Sequence, residues 1–250
     1  MERQTVTVEK ICLLAGKIML AAGAETYRVE DTMDRIARAY GVEHPQSYAT
    51  LTGLHFSPEY TSNSYFLRIT KRATDLHKID NVNQLSREIV AHQIPLEKAY
   101  SKLETLENNV PTFSLSFQVL AASLVSGCFA LMFGGTWPDF LPACLAGSIG
   151  YLAMALFDKM IEIRFLAEFI GASFIGLSAA SCFLLGFGAS LEMIIIGAVM
   201  PLVPGLPITN AIRDLMAGHL VSGVSKGVES LLTAVAIGAG IAMVYGFFPV

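Results

Sequence analysis

A chain of 250 residues with 53% hydrophobic and only 15% charged residues, and a mean hydropathy of +0.54, is too apolar for an ordinary soluble domain. A formal net charge of −4 without any cluster of Lys or Arg excludes a nucleic-acid-binding surface. All but Lys159, Arg164, Arg213 and Lys226 of the 17 Lys and Arg precede Val110, so the sequence divides into a charged α+β domain, residues 1–110, and a membrane domain, residues 111–250.

In the first part, residues 8–22 place Ile11, Leu14, Ile18 and Ala22 on one helical face, with Lys10 and Lys17 away from it. Those two lysines also interrupt the apolar stretch that a signal peptide would need, which keeps the first hundred or so residues in the cytoplasm. Residues 25–40 form a second helix with Val29, Met33, Ile36 and Tyr40 as its apolar stripe, an outer ladder of Glu30, Asp34 and Arg38 beside Asp31 and Arg35, and Gly23 and Gly41 as brackets. Beyond Pro45 the period becomes that of a strand through Tyr48, Thr50, Thr52, Leu54 and Phe56, with SYFLRIT as hairpin partner across SPEYTSN. Helices over 81–92 and 95–107 lead to the membrane at Pro111.

Five segments can cross a hydrocarbon core: 112–133, 140–157, 165–187, 191–208 and 228–248. The connectors GGTWPD and GAS carry no Lys or Arg, whereas DKMIEIR and the stretch from Arg213 to Lys226 do. The positive-inside rule then sets the N-terminus in the cytoplasm and Val250 outside. Small residues recur at four-residue spacing in Ala122, Ser126 and Ala130, Ala143 and Gly147, Ala146 and Gly150, Ala172 and Gly176, and Ala234 and Gly238, as expected of helices packing closely in lipid.

The fourth span is interrupted by MPLVPGLPITNAIRDL, in which Pro201, Pro204 and Pro207 cannot all continue one helix. About ten helical residues before it, at 1.5 Å each, bring the break near the bilayer midplane. Irregular backbone survives there only where protein buries it or a wet cavity reaches it, and transporters place substrate sites at such broken helices. A helix restarting after Pro207, capped by Thr209 or Asn210, would aim its N–H groups and positive end at the break, a setting suited to a carboxylate. Pro204, Gly205, Asn210, Arg213 and Asp214 are therefore candidate substrate residues, with Arg213 as carboxylate donor and Asp214 as its counter-charge or a proton carrier. Ser123 and Ser126, with Gln118, offer neutral hydrogen bonds to a substrate or to neighbouring helices. Glu168 and Glu192 join Asp214 as candidate coupling groups, unless they are wetted ends of their helices.

No metal or cofactor is expected. Cys12, Cys128, Cys144 and Cys182 are scattered and read as buried thiols, and His44, His55, His77 and His92 lack metal spacing and read as surface residues. No nucleophile elbow is present either.

Two runs, GAETYRVEDTMDRIARAYGV (23–42) and PLVPGLPITNAIRDLMAGHLVSGVSKGVES (201–230), resemble the signatures of the threonine/serine exporter family. The stretch around Arg72 and Asp80-Asn81-Val82-Asn83 is similar in kind, so the resemblance covers essentially the whole chain. It implies an α+β cytoplasmic domain on a helical membrane unit, and a split arrangement needing a short hydrophobic partner of about four or five spans, in a higher oligomer within the bacterial inner membrane. It also implies export of threonine and serine or of succinate-like dicarboxylates. The matching positions are Glu25, Arg28 and Glu30 in the first run, and Pro204, Gly205, Pro207, Asn210, Arg213, Asp214, Gly218 and Gly223 in the second. His219 departs from an acidic residue common there. The competing classes are a membrane-anchored regulator and a hydrolase using the cytoplasmic domain; a simple anchor needs no midplane break, and no nucleophile–base pair is visible.

Overall fold

The computed structural model describes residues 6–60, 63–92, 94–108, 113–161 and 163–247. The expected crossing into the membrane at Pro111, the C-terminus at Val250 and the middle of the SPEYTSN connector lie outside them. The chain is mostly helical and forms two compact units, one of Met1–Pro111 with Leu206–Val228, the other of Thr112–Gly205 with Glu229–Val250.

The first unit opens with α1 (Val8–Ala21) and α2 (Thr26–Ala39), which bury Ile11, Leu14 and Ile18 against Val29, Met33 and Ile36. Their approach is close: a Cβ on Gly16 would lie 2.5 Å from Met33 Sδ. Each helix stops at a glycine with positive φ, Gly23 at +85° and Gly41 at +88°, where the next N–H reaches back to Met19 O or Ala37 O. This left-handed stop is why glycine stands at both positions. On the outer face Arg35 pairs with Asp31 and Arg38 with Asp34.

The single strand expected through Phe56 is in fact a hairpin. Strands β1 (Gln46–Thr50) and β2 (Gly53–Ser57) run antiparallel, with Thr50 opposite Gly53 and the turn at Leu51-Thr52. These two residues lack the Asn-Gly chemistry that marks a two-residue turn, and the alternation of Thr50, Thr52 and Leu54 runs straight across it. Strand β3 (Tyr65–Arg68) pairs with β2, completing a three-stranded sheet in the order β1-β2-β3. Helix α3 (Leu76–His92) starts ahead of residue 81 because Asp75 Oδ1 accepts the Lys78 N–H at 3.0 Å and caps it. Helix α4 (Leu96–Asn108) adds Ala99 and Leu103 to the same core.

The second unit contains α5 (Leu115–Met132), α6 (Trp137–Ile161), α7 (Arg164–Leu184), α8 (Leu191–Val199) and a single 3-10 turn, Met200–Leu202. Helix α9 (Gly205–Met216) begins at its edge, and α10 (Leu220–Phe247) completes it from Glu229 onward. Among the described residues four helices are long and apolar enough to cross a membrane, and the pair Leu191–Leu202 with Gly205–Met216, bent by 61°, makes a fifth if taken as one span. Phe117, Leu120 and Leu124 on α5 and Leu141, Leu145 and Leu152 on α6 are exposed, as a lipid-facing surface requires.

Small residues hold this unit together. A Cβ on Gly147 would collide with Ser126 Oγ, one on Gly150 with Ile175 Cγ1, and one on Gly197 would stand 2.6 Å from both Ala130 N and Ser126 O. Ala234 and Gly238 differ: they lie on an exposed face of α10, with open space around Gly238. Asp139, read from sequence only as part of an acidic connector, is buried at the start of α6. Its Oδ2 accepts from Thr136 N and Oγ1 at 2.8 and 2.7 Å, and its Oδ1 from Ala189 N and Ser190 N at 2.6 and 2.9 Å. One carboxylate thus ties the α5–α6 turn to the α7–α8 turn.

Candidate substrate and coupling site

The proline-rich run breaks its helix as expected, but the second helix starts early. The backbone becomes extended at Val203 (φ −62°, ψ 128°), Pro204 is buried, and α9 begins at Gly205, which is exposed. Pro207 then falls in the first turn, where a missing N–H leaves no hydrogen bond unmade. Thr209 and Asn210 consequently sit inside the helix instead of capping it.

This start directs three polar residues of α9 at the beginning of α2, all within the first unit. Asn210 Nδ2 donates to Gly23 O at 2.9 Å. Arg213 Nη1 donates to Glu25 Oε1 at 2.6 Å, while Arg28 Nη1 approaches Glu25 Oε2 at 3.3 Å. Asp214, fully buried, accepts the Thr26 N–H on Oδ1 at 2.8 Å, and on Oδ2 both the Thr26 hydroxyl at 2.8 Å and Lys226 Nζ at 2.7 Å. Lys226 also donates to Ala24 O at 3.0 Å. Arg213 and Asp214 are therefore not each other's partners, since consecutive helical residues point in different directions.

Thr26 and Lys226 were not singled out from the sequence. Lys226 looked like a connector charge ahead of a span beginning at 228, yet α10 starts at Leu220 and contains it. Pairing with Asp214 lets a buried ammonium stand inside an apolar helix. The hairpin from α9 to α10 turns at Gly218 (φ +87°), where the His219 N–H returns to Asp214 O at 2.9 Å. It closes tightly, because a Cβ on Gly223 would lie 2.6 Å from Leu215 Cγ and 3.0 Å from Ala211 O. The glycines of the second run are the visible trace of this closure.

The acids around α2 differ in electrostatics. Burial pushes the Glu25 carboxyl up, but its backbone hydrogen bond, the Arg213 hydrogen bond and the charges of Arg28 and Arg213 outweigh it, holding it below the usual carboxylate range. Glu30 goes the other way: burial, with Asp34 and Asp214 nearby, raises it despite the Ala49 N–H at 2.8 Å and the facing His219. Asp34, accepting from Ser47 Oγ at 2.6 Å, is likewise raised, chiefly by burial.

In the second unit, Ser123 donates to Cys144 O at 3.1 Å and Ser126 to Ala122 O at 2.8 Å, so both hydroxyls are tied to helix backbone. Glu168 is buried on α7; its Oε1 accepts from Arg164 Nε at 2.9 Å, and its Oε2 has no hydrogen-bond partner. Arg164 also faces Glu229 at 3.8 Å. Glu192 is exposed in the first turn of α8, where the helix dipole favours a carboxylate. Among the described residues no group of three His, Cys, Asp or Glu could hold a metal ion. Cys12 and Cys144 are buried, whereas Cys128 is exposed on α5 and Cys182 is half-buried on α7. An open hollow of about 330 Å³ between α3 and α4, lined by Asn81, Gln84, Glu88 and Lys102 among others, uses none of these groups.

The two sequence runs that meet at Glu25 and Arg213 fall within one family match, since the ThrE threonine/serine exporter model covers residues 10–248. The chain belongs to the threonine/serine exporter family. Membership of this family identifies a membrane transporter, not an enzyme. The chain is 26% identical over 257 residues to the protein of Klebsiella aerogenes named "Probable succinate transporter subunit YjjP", covering 97% of this chain and 94% of that one. It is 24% identical over 242 residues to the protein of the same name from Escherichia coli K12, covering 92% and 91%. No solved structure matches.

Proposed function

We propose that this exporter-family chain is the larger subunit of a two-chain secondary exporter that moves small carboxylate-bearing metabolites out of a bacterial cell across the inner membrane. Succinate-like dicarboxylates are the favoured cargo, because both relatives, matched over more than 90% of each chain, are named as succinate transporter subunits. The family description supports threonine and serine as the second reading. Residues 1–110 face the cytoplasm together with the Leu206–Val228 stretch of the same unit, the rest of residues 111–250 forms the membrane domain, and the C-terminus is external, a reading that the basic N-terminal residues and the basic connector DKMIEIR support. A short hydrophobic subunit of about four or five spans completes the route, in a higher oligomer.

The observation that carries this reading is Arg213, a guanidinium already holding a carboxylate while 56% of its side chain stays open. Such a donor suits an anionic cargo, and Asn210 belongs to the same helix, which begins at the Pro204-Gly205 break. Asp214 anchors that helix through Thr26 and Lys226. Of the candidate coupling acids, Glu168 is the one favoured, because its Oε2 is buried without a hydrogen-bond partner.

Co-expression of the chain with a short polytopic partner, sought in the neighbouring reading frame, in cells lacking their own exporters, tests the reading. Efflux of succinate is expected, lost in Arg213→Ala protein that is still inserted. Selective efflux of threonine and serine would move the assignment to the second reading, and unchanged accumulation of all three metabolites would overturn both.

A further inference from the structure

Glu25 occupies the N-cap position of α2, yet its side chain makes no capping hydrogen bond. Asp214 instead takes the first N–H of that helix. Besides its backbone hydrogen bond, the Glu25 carboxylate is held by Arg213 and Arg28, one oxygen to each. It lies inward, with 6% of its side chain exposed, while the side chains of Arg213 and Arg28 that hold it are 56% and 40% exposed. An anion arriving from solvent meets the arginines first.

We propose that Glu25 is an internal stand-in for the cargo's carboxylate, and that a dicarboxylate displaces it, with one carboxylate on Arg213 and the other on Arg28. This rests on the exporter reading above. Displacement leaves α2 intact, because the Asp214–Thr26–Lys226 bonds do not involve Glu25. It also favours one cargo. Asp214 and Lys226 offset each other, so two positive charges remain once Glu25 swings out, and a dianion matches them. A zwitterionic amino acid would satisfy one arginine and set its ammonium against the other, a like-charge contact that opposes binding. Arg28 is thus a specificity residue, and Glu25 sets the threshold concentration at which cargo is captured.

Radiolabelled succinate binding to the purified full-length chain in nanodiscs, with threonine as competitor, tests this. Glu25→Gln keeps the size of the side chain and removes the competing charge, so it should bind succinate about tenfold more tightly. Glu25→Asp, too short to bridge both arginines, should tighten binding as well. Arg28→Gln and Arg213→Gln should each weaken succinate by about tenfold or more, and Arg28→Gln should narrow the preference over threonine. Equal or weaker binding by both Glu25 variants, an unaffected Arg28→Gln, or no succinate binding by any folded variant would overturn the proposal. If cells still export succinate in that case, the transport assignment stands and only the stand-in role falls; absence of export by the unaltered chain with its partner would remove the assignment itself.

Discussion

The Asp214 carboxylate completes the first turn of the helix that Thr26 begins, 188 positions earlier in the chain. A helix leaves its first N–H groups unpaired, and local sequence normally supplies the cap. Here the cap comes from the α9–α10 hairpin, so the first N–H of α2 depends on the second family run. Lys226 makes the arrangement charge-neutral and adds a bond to Ala24 O. The two runs are therefore part of one structural unit, and Arg28 and Arg213 are mounted on it.

Breaking this pair should be costly. Asp214→Ala leaves the buried Lys226 ammonium without its carboxylate and the Thr26 N–H without an acceptor, and is expected to destabilise the chain by about 3–5 kcal/mol. Asp214→Asn, which keeps an acceptor for Thr26, should cost less. The double variant Asp214→Asn with Lys226→Met should recover part of the loss, because no unpaired charge remains. Thermal unfolding in detergent, arranged as a double-mutant cycle, measures the coupling. Additive losses would show that the two residues act independently.

Glu25 and Glu30 should respond to pH in opposite senses. The Glu25 carboxyl is depressed in the folded chain, so its contribution is present above the ordinary carboxylate range and is lost as pH falls through the folded value. Glu30 is raised, so it favours the folded state in acid, and that contribution is lost as pH rises through its folded value. Melting temperatures should then show Glu25→Gln less stable than the parent at neutral pH, with the gap closing in acid. Glu30→Gln, which still offers an acceptor to Ala49 N, should gain on the parent at neutral pH. Parallel shifts of both variants across the pH range would contradict this.

How much of this was legible in sequence follows from how local each cause is. The helical stripes of α1 and α2 and the stops at Gly23 and Gly41 are local, and they were visible. So was the break at Pro201–Pro204, because proline acts on its own turn. The hairpin at Leu51-Thr52 was hidden, since its turn residues have no special chemistry and strand alternation continues across it. The start of α10 was hidden for another reason: Lys226 is tolerable in an apolar helix because of Asp214 and Ala24 O, both tertiary partners. The same holds for Arg213 and Asp214, adjacent in sequence and therefore read as a pair, but pointed by the helix at different partners. Asp139 was invisible because the backbone N–H groups it collects belong to Ala189 and Ser190, some 50 residues away.

Close helix packing makes glycine substitutions separable. Gly197→Ala places a methyl group 2.6 Å from backbone atoms of Ser126 and Ala130, which cannot rotate away, and should destabilise the second unit by about 1–3 kcal/mol. Gly238→Ala meets nothing within 4 Å and replaces a poor helix former by the best one. It should be neutral or slightly stabilising. Retention of monodisperse protein after heating in detergent distinguishes them, and equal behaviour would mean that Gly197 does not mark a close approach of α8 to α5.

Arg164 and Glu168 offer the sharpest separation of folding from transport. Arg164→Ala strips the last hydrogen bond from a buried carboxylate, and although Arg164 is half exposed, it should cost about 2 kcal/mol. Glu168→Gln is different, because Oε1 still accepts from Arg164 while the oxygen that had no partner is exchanged for an amide. Its folding cost should stay below about 1 kcal/mol. If Oε2 is where the exchanged proton resides, that near-silent substitution should nonetheless abolish the dependence of export on a pH gradient in proteoliposomes holding both subunits. Gradient-driven export by Glu168→Gln at the parent rate would reduce the bare oxygen to a packing fault, and would leave coupling to groups outside α7.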